Sequence, residues 1–68
     1  MREWLKDIRE ERHMSQLEIS ERVNITQPSY SNIEAGRRNP SIEAAKKIAD
    51  VLGFPWTRFF DDEQTNSA

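Results

Sequence analysis

The stretch "SQLEISERVNITQPSYSNIEAG", Ser15 to Gly36, holds two short helical patterns with almost nothing between them. Ser15 is a favourable N-cap, and Glu18 three residues later completes a capping box. Ile19 and Val23 then fall at i, i+4, the buried face of a helix that runs to about Val23. Asn24 follows at the left-handed position just past the helix, where Asn is the commonest substitute for glycine. The next helix begins at Thr26 or Gln27. Thr26 can cap it, and Pro28 is tolerated in a first turn because its missing N–H has no helical partner to lose. Pro28 also disfavours the helical region for Gln27, so both starts stay open. Tyr30 and Ile33 point inward at i, i+3, Gln27, Pro28, Ser31 and Asn32 face out, and Gly36 ends the helix.

Two short helices joined by a turn of three or four residues, with an apolar Ile25 inside the turn, describe a helix-turn-helix. Upstream, residues 2–12 read as a charged helix in which Leu5 and Ile8, with Trp4 and Arg12 alongside, form an i, i+3, i+4 stripe. His13 stands at its C-terminal end, where a left-handed residue is wanted and His tolerates the conformation. Downstream, "RRNP" (37–40) is a loop, and Asn39-Pro40-Ser41 opens a fourth helix with Ile42, Ala45, Ile48, Ala49 and Leu52 as its apolar stripe. Gly53 stops it. "FPWTRFF" (54–60) allows a last helical turn from about Pro55 to Phe60. The expected architecture is therefore all-α, with five helices in one domain over residues 1–60. Residues 61–68, "DDEQTNSA", are expected to form a polar, disordered tail.

Composition narrows the function. Sixty-eight residues form one small domain with a thin margin of stability. There are no cysteines, which excludes disulfides and thiolate metal sites. The charged start "MREWLKDIREER" lacks the apolar core of a signal peptide, and no run approaches the roughly 20 apolar residues of a membrane span. A cytoplasmic protein is expected, and the polar ending suits a natural C-terminus. The formal charge is −2, but it is unevenly spread. Residues 22–47 carry Arg22, Arg37, Arg38, Lys46 and Lys47 against Glu34 and Glu43, an excess of +3. The segments on either side are net acidic.

The run "SQLEISERVNITQPSYSNIEAGRRNPSIEAAKKIADVLG" resembles the Xre/Cro/CI-type helix-turn-helix domain of phage repressors and bacterial transcription regulators, a compact lambda-repressor-like fold. The likeness covers about Leu5 to Phe60. It rests on Arg9 in the first helix, Ser15-Gln16 opening the second, Ile25-Thr26 in the turn, Ile33-Glu34-x-Gly36 closing the third, then Asn39-Pro40-Ser41 and Leu52-Gly53. The chain departs from the family pattern at His13, Ser20 and Asn24, which replace small or glycine residues, at Leu17, usually polar, and at Pro28 inside the reading face. The resemblance implies a bacterial or phage-encoded DNA-binding regulator, nucleoid-associated when bound. It also implies a homodimer on a palindromic operator, with the third helix in the major groove and no cofactor.

Reading bases needs donors and acceptors at base-edge height. A Gln at position 27 can pair bidentately with adenine N6 and N7, and Asn32 can do the same from further along the face. Ser29 suits a base or a phosphate, and Pro28 can pack on a thymine methyl. The plain alternative is the solvated polar face that small helices commonly carry. The resemblance makes Ser15 and Gln16 phosphate contacts at the start of the second helix, where free amides and the positive dipole end favour an anion. Arg37 and Arg38 read as phosphate neutralisers, and Lys46 and Lys47 as the wet side of the fourth helix. The family likeness makes Arg9 and Glu34 a structural ion pair tying the first helix to the third.

Phe54, Trp56, Phe59 and Phe60 place four large apolar groups within seven residues, more than so small a core is expected to absorb. Some must close the core, and the cluster is expected to leave one side exposed as a dimer surface; the plain alternative is that all four fold inward. The catalytic inventory is nearly empty: a single histidine, no cysteine and two isolated glycines offer no nucleophile–base pair, phosphate loop or zinc set. An enzyme is not expected, and no metal either. The rival readings keep the fold but use it as a protein-interaction module, or as the antitoxin of a toxin–antitoxin pair.

Overall fold

A computed structural model of the chain describes residues 1–61. The first four helices are α1 (Glu3–Glu11), α2 (Gln16–Arg22), α3 (Gln27–Glu34) and α4 (Ile42–Leu52). A fifth helical turn, α5, starts at 58 and includes Asp61, one residue beyond the expected end of the domain. The rest of the expected tail, 62–68, lies outside the described residues.

Each boundary has a local cause. Ser15 Oγ accepts from Glu18 N at 3.1 Å while Ser15 N donates to Glu18 Oε1 at 3.0 Å, the complete capping box. Thr26 and Ser41 cap α3 and α4 in the same sense, each accepting from the amide three residues on, Ser29 N at 3.2 Å and Ala44 N at 3.1 Å. Thr26 is thus the cap and Gln27 the first helical residue, despite the following proline. His13 (φ 57°) and Asn24 (φ 61°) take the left-handed conformation just past α1 and α2, as expected from their place in the sequence. Gly53 at φ 83° does the same for α4, where a Cβ would also stand 3.0 Å from Arg12 Nη2. Arg12 itself donates from Nε to Leu52 O at 3.0 Å, satisfying a carbonyl of the last α4 turn.

Leu5, Ile19, Val23, Tyr30, Ile33, Ala45, Ile48, Leu52 and Phe59 form the buried core. Ser20 is buried too, its hydroxyl donating to Leu17 O at 2.8 Å, which is how a polar residue fits where the family favours alanine. Two sequence expectations need correcting. Ile42 is 57% exposed and is not part of the α4 core stripe. As the first residue of α4 it precedes the first turn that packs inward, and the buried face starts at Ala45.

Phe59, expected at a dimer surface, is 1% exposed. Its ring meets Trp4 at 5.4 Å and Phe54 at 5.5 Å between centroids, and Trp4 meets Phe54 at 5.2 Å, all edge-on. So small a core needs a large group to close the end between α1 and α5. Burying one phenylalanine contributes about 1.5–3 kcal/mol. Phe54, Trp56 and Phe60 pack only partly against this core.

Candidate nucleic-acid interface

The polar face of α3, the start of α2 and the loop after α3 meet on one side of the molecule. Gln27 and Pro28 are exposed, whereas Ser29, Ser31 and Asn32 are half-buried. Gln16, Gln27, Pro28 and Ser31 line an open depression between the N-terminal ends of α2 and α3. Arg37 and Arg38, both exposed, turn back along α3 rather than away from it. Arg37 Nη1 donates to Asn32 Oδ1 at 3.2 Å, and Arg38 Nη1 donates to Ser29 Oγ at 3.3 Å. Their backbone amides both donate to Asn32 O, at 3.0 and 3.3 Å, closing the C-terminal end of α3. Two residues expected to meet bases, Ser29 and Asn32, are thus hydrogen-bonded to the two arginines expected to meet phosphates, a pairing that sequence spacing did not reveal.

Beneath this surface lies a polar network centred on Glu34, which is 2% exposed. Arg9 donates to it through two nitrogens, Nε to Oε2 at 2.8 Å and Nη2 to Oε1 at 3.1 Å. Arg9 Nη1 donates to Met14 O at 2.8 Å, so the guanidinium also holds the turn between α1 and α2. Gln16 Nε2 reaches the same carboxylate at 3.0 Å. The expected ion pair is present, and its carboxylate also anchors Gln16 at the rim of the depression. Burial alone would raise the Glu34 pKa, but the hydrogen bonds from Arg9 and Gln16 outweigh it and hold the carboxyl below its ordinary value. The bond to Glu34 in turn raises the Arg9 pKa. Burial, then the Glu34 charge, raise that of Tyr30, whose hydroxyl is buried without a hydrogen-bond partner among the described residues.

The residue that sequence reading overlooked is Arg2. It is 8% exposed and reaches the far end of α3 and the loop beyond. Nothing local marks it, because its partners lie 31 to 37 positions away.

A family model described as "Helix-turn-helix" matches residues 5–59. The chain belongs to the Xre/Cro/CI-type helix-turn-helix family of DNA-binding transcriptional regulators. Over 62 residues it is 45% identical to an uncharacterized HTH-type transcriptional regulator, YqaF, of Bacillus subtilis (strain 168), covering 91% of this chain and 82% of that protein. It is 29% identical over 62 residues to the cryptic phage CTXphi transcriptional repressor RstR of Vibrio cholerae, covering 91% of this chain and 56% of the repressor. With the immunity repressor protein of Bacillus phage phi105 the identity is 30% over 59 residues, 87% of this chain and 41% of that protein. The helix-turn-helix chain thus spans about half the length of these two repressors. No solved structure matches. Among the described residues no helix is long and apolar enough to cross a membrane.

Proposed function

We propose that this regulator binds a palindromic duplex operator as a homodimer and represses transcription by occupying it. The observation that carries the reading is the single surface formed by the outer face of α3, the α2 start and the Arg37–Arg38 loop. Its form suits one helix in a major groove, with α2 crossing the backbone beside it. In this reading Gln27, Pro28, Ser29 and Asn32 meet base edges. Ser15, Gln16, Arg37 and Arg38 hold phosphates and set the register. Arg37 and Arg38 supply positive charge at this surface even though the whole chain is net acidic. The names of the RstR and phi105 relatives favour repression over activation.

The dimer forms through the half-buried Phe54, Trp56 and Phe60, without Phe59. Trp56 and Phe60 pack edge-on at 6.0 Å and present apolar area beside the Lys46 ammonium, which lies 5.1 Å from the Trp56 ring centroid. A two-fold dimer reads two half-sites about one turn, ~34 Å, apart.

Selection from random duplex DNA with purified protein at near-physiological salt tests the whole reading. Enrichment of an inverted repeat with that spacing supports it. Failure to enrich any sequence, with binding that vanishes as salt rises, leaves only charge attraction and overturns it. Gln27→Ala should then relax the preference at one position of each half-site, by about 1–3 kcal/mol of lost discrimination.

A further inference from the structure

Arg2 lies outside the surface just described, yet its guanidinium is joined to the loop that carries two members of that surface. Nη1 donates to Ile33 O at 2.6 Å and to Arg38 O at 3.1 Å, and Nη2 donates to Asn39 Oδ1 at 2.6 Å. The Arg2 backbone amide adds a bond to Glu34 O at 2.9 Å. Ile33 and Glu34 belong to the last turn of α3, where carbonyls run out of i+4 donors; Ile33 O also accepts from Gly36 N at 3.1 Å. One fork of fixed geometry therefore caps α3 and grips both sides of residues 36–38. On its other side the same guanidinium lies 5.7 Å from the Phe59 ring centroid, so a core residue backs it. Gly36, at φ 80°, allows the tight exit from α3, and a Cβ there would sit 3.3 Å from the Met1 nitrogen. The N-terminal segment is therefore packed directly beneath the loop.

We propose that Arg2 is a positioning residue for DNA binding: by holding the carbonyl of Arg38 and the side chain of Asn39, it fixes the direction in which Arg37 and Arg38 leave the backbone toward phosphate. The inference rests on the reading of those two arginines as phosphate contacts. With the loop misdirected, a guanidinium of Arg37 or Arg38 misses its phosphate in the complex, so a contact and its released counterion are lost without Arg2 touching DNA. Lysine cannot replace it. Its ammonium keeps the charge but lacks the planar fork that spans a helix end, a loop carbonyl and an amide oxygen together.

The test uses the enriched operator and the full chain. Affinity is measured across a salt series for the wild type, Arg2→Lys, Asn39→Ala and the Arg37→Ala/Arg38→Ala pair, at a temperature where circular dichroism shows each folded. Each phosphate contact contributes about 0.9 to the slope of log K against log salt, and its loss costs about fivefold in affinity near physiological salt. The arginine pair should lower the slope by about one to two per protomer. Arg2→Lys should lower it by about one, although the net charge is unchanged and residue 2 is buried. Asn39→Ala removes the outer anchor in an exposed loop and should move the slope in the same direction by less. A weakened fold scales every affinity by the same factor and leaves the slope alone, so the slope separates positioning from stability. An unaltered slope in both Arg2→Lys and Asn39→Ala, with the arginine pair lowering it, overturns the positioning role alone. An unaltered slope in the arginine pair overturns the phosphate reading and this inference with it.

Discussion

At its N-terminal end α3 is held by its sequence neighbours. Thr26 caps the amide of Ser29, and Pro28 occupies a first-turn position where no N–H is needed. At its C-terminal end local amides close the last turn, and residues from the other side of the chain are added to them. Arg9 grips the Glu34 carboxylate, and Arg2 takes the Ile33 carbonyl. The N-terminal end is part of the proposed DNA surface and the Glu34 network lies beneath it, so the helix is oriented by two unlike mechanisms. A local cap sets where a helix starts but leaves its direction free. A long-range fork, anchored in the core, sets how the helix sits on the rest of the domain. A reading helix needs both, because a small misplacement of the backbone moves every side chain that meets a base.

The comparison can be broken most severely at the C-terminal end. Glu34→Ala should destabilise by about 3–5 kcal/mol, because it strands the Arg9 guanidinium, itself only 11% exposed, in a desolvated site. Urea unfolding followed by circular dichroism reads this directly. Replacing both partners, Arg9→Met with Glu34→Leu, should recover most of that loss, since no charge is left unpaired. A double variant as unstable as Glu34→Ala would mean that the Gln16 and Met14 bonds matter more than the pair.

Acid should act on the same end in a graded way. The Glu34 carboxyl is held below its ordinary value of 4.5, so its contribution to stability is complete above that pH. That contribution is lost as pH falls from there through the lower folded value. Thermal unfolding of the wild type against Glu34→Gln, compared from neutral pH downward, isolates it. The gap between the two proteins should narrow as the pH drops.

The N-terminal end should yield less. Thr26→Ala removes one capping bond and should cost about 1 kcal/mol, again by urea unfolding. The smallest effect is expected in the turn just before it. Asn24→Gly relieves a side chain at positive φ and should be neutral to stabilising, by less than about 1 kcal/mol. A larger loss there would show that the Asn24 side chain does more than end α2.

Sequence alone was a good guide wherever the cause was near in the chain. The capping box at Ser15 and Glu18, the left-handed His13 and Asn24, and the stops at Gly36 and Gly53 all follow from rules that reach three or four residues. The inward faces of α2 and α3 followed from helical period in the same way. The polar outer face of α3 could be named residue by residue, though not its bonds to Arg37 and Arg38. The aromatic end was misread in part: the count of four large rings suggested surplus, but Phe59 is the group that closes the core against Trp4 and Phe54. Counting apolar groups cannot assign them, because which ring goes inside depends on how α5 returns onto α1.

What the sequence by itself determined is therefore the helix ends, the turn between α2 and α3, and the family pattern that marks the surface. Those are set by hydrogen bonds and backbone preferences acting over a few residues. Only the tertiary structure decided that Gln16 shares a carboxylate with Arg9, that Ile42 stays outside the core, and that Arg2 reaches 36 positions to hold Arg38. Such contacts depend on where distant segments arrive in space. A buried guanidinium finds its partners only after the core has brought the two ends of the chain together.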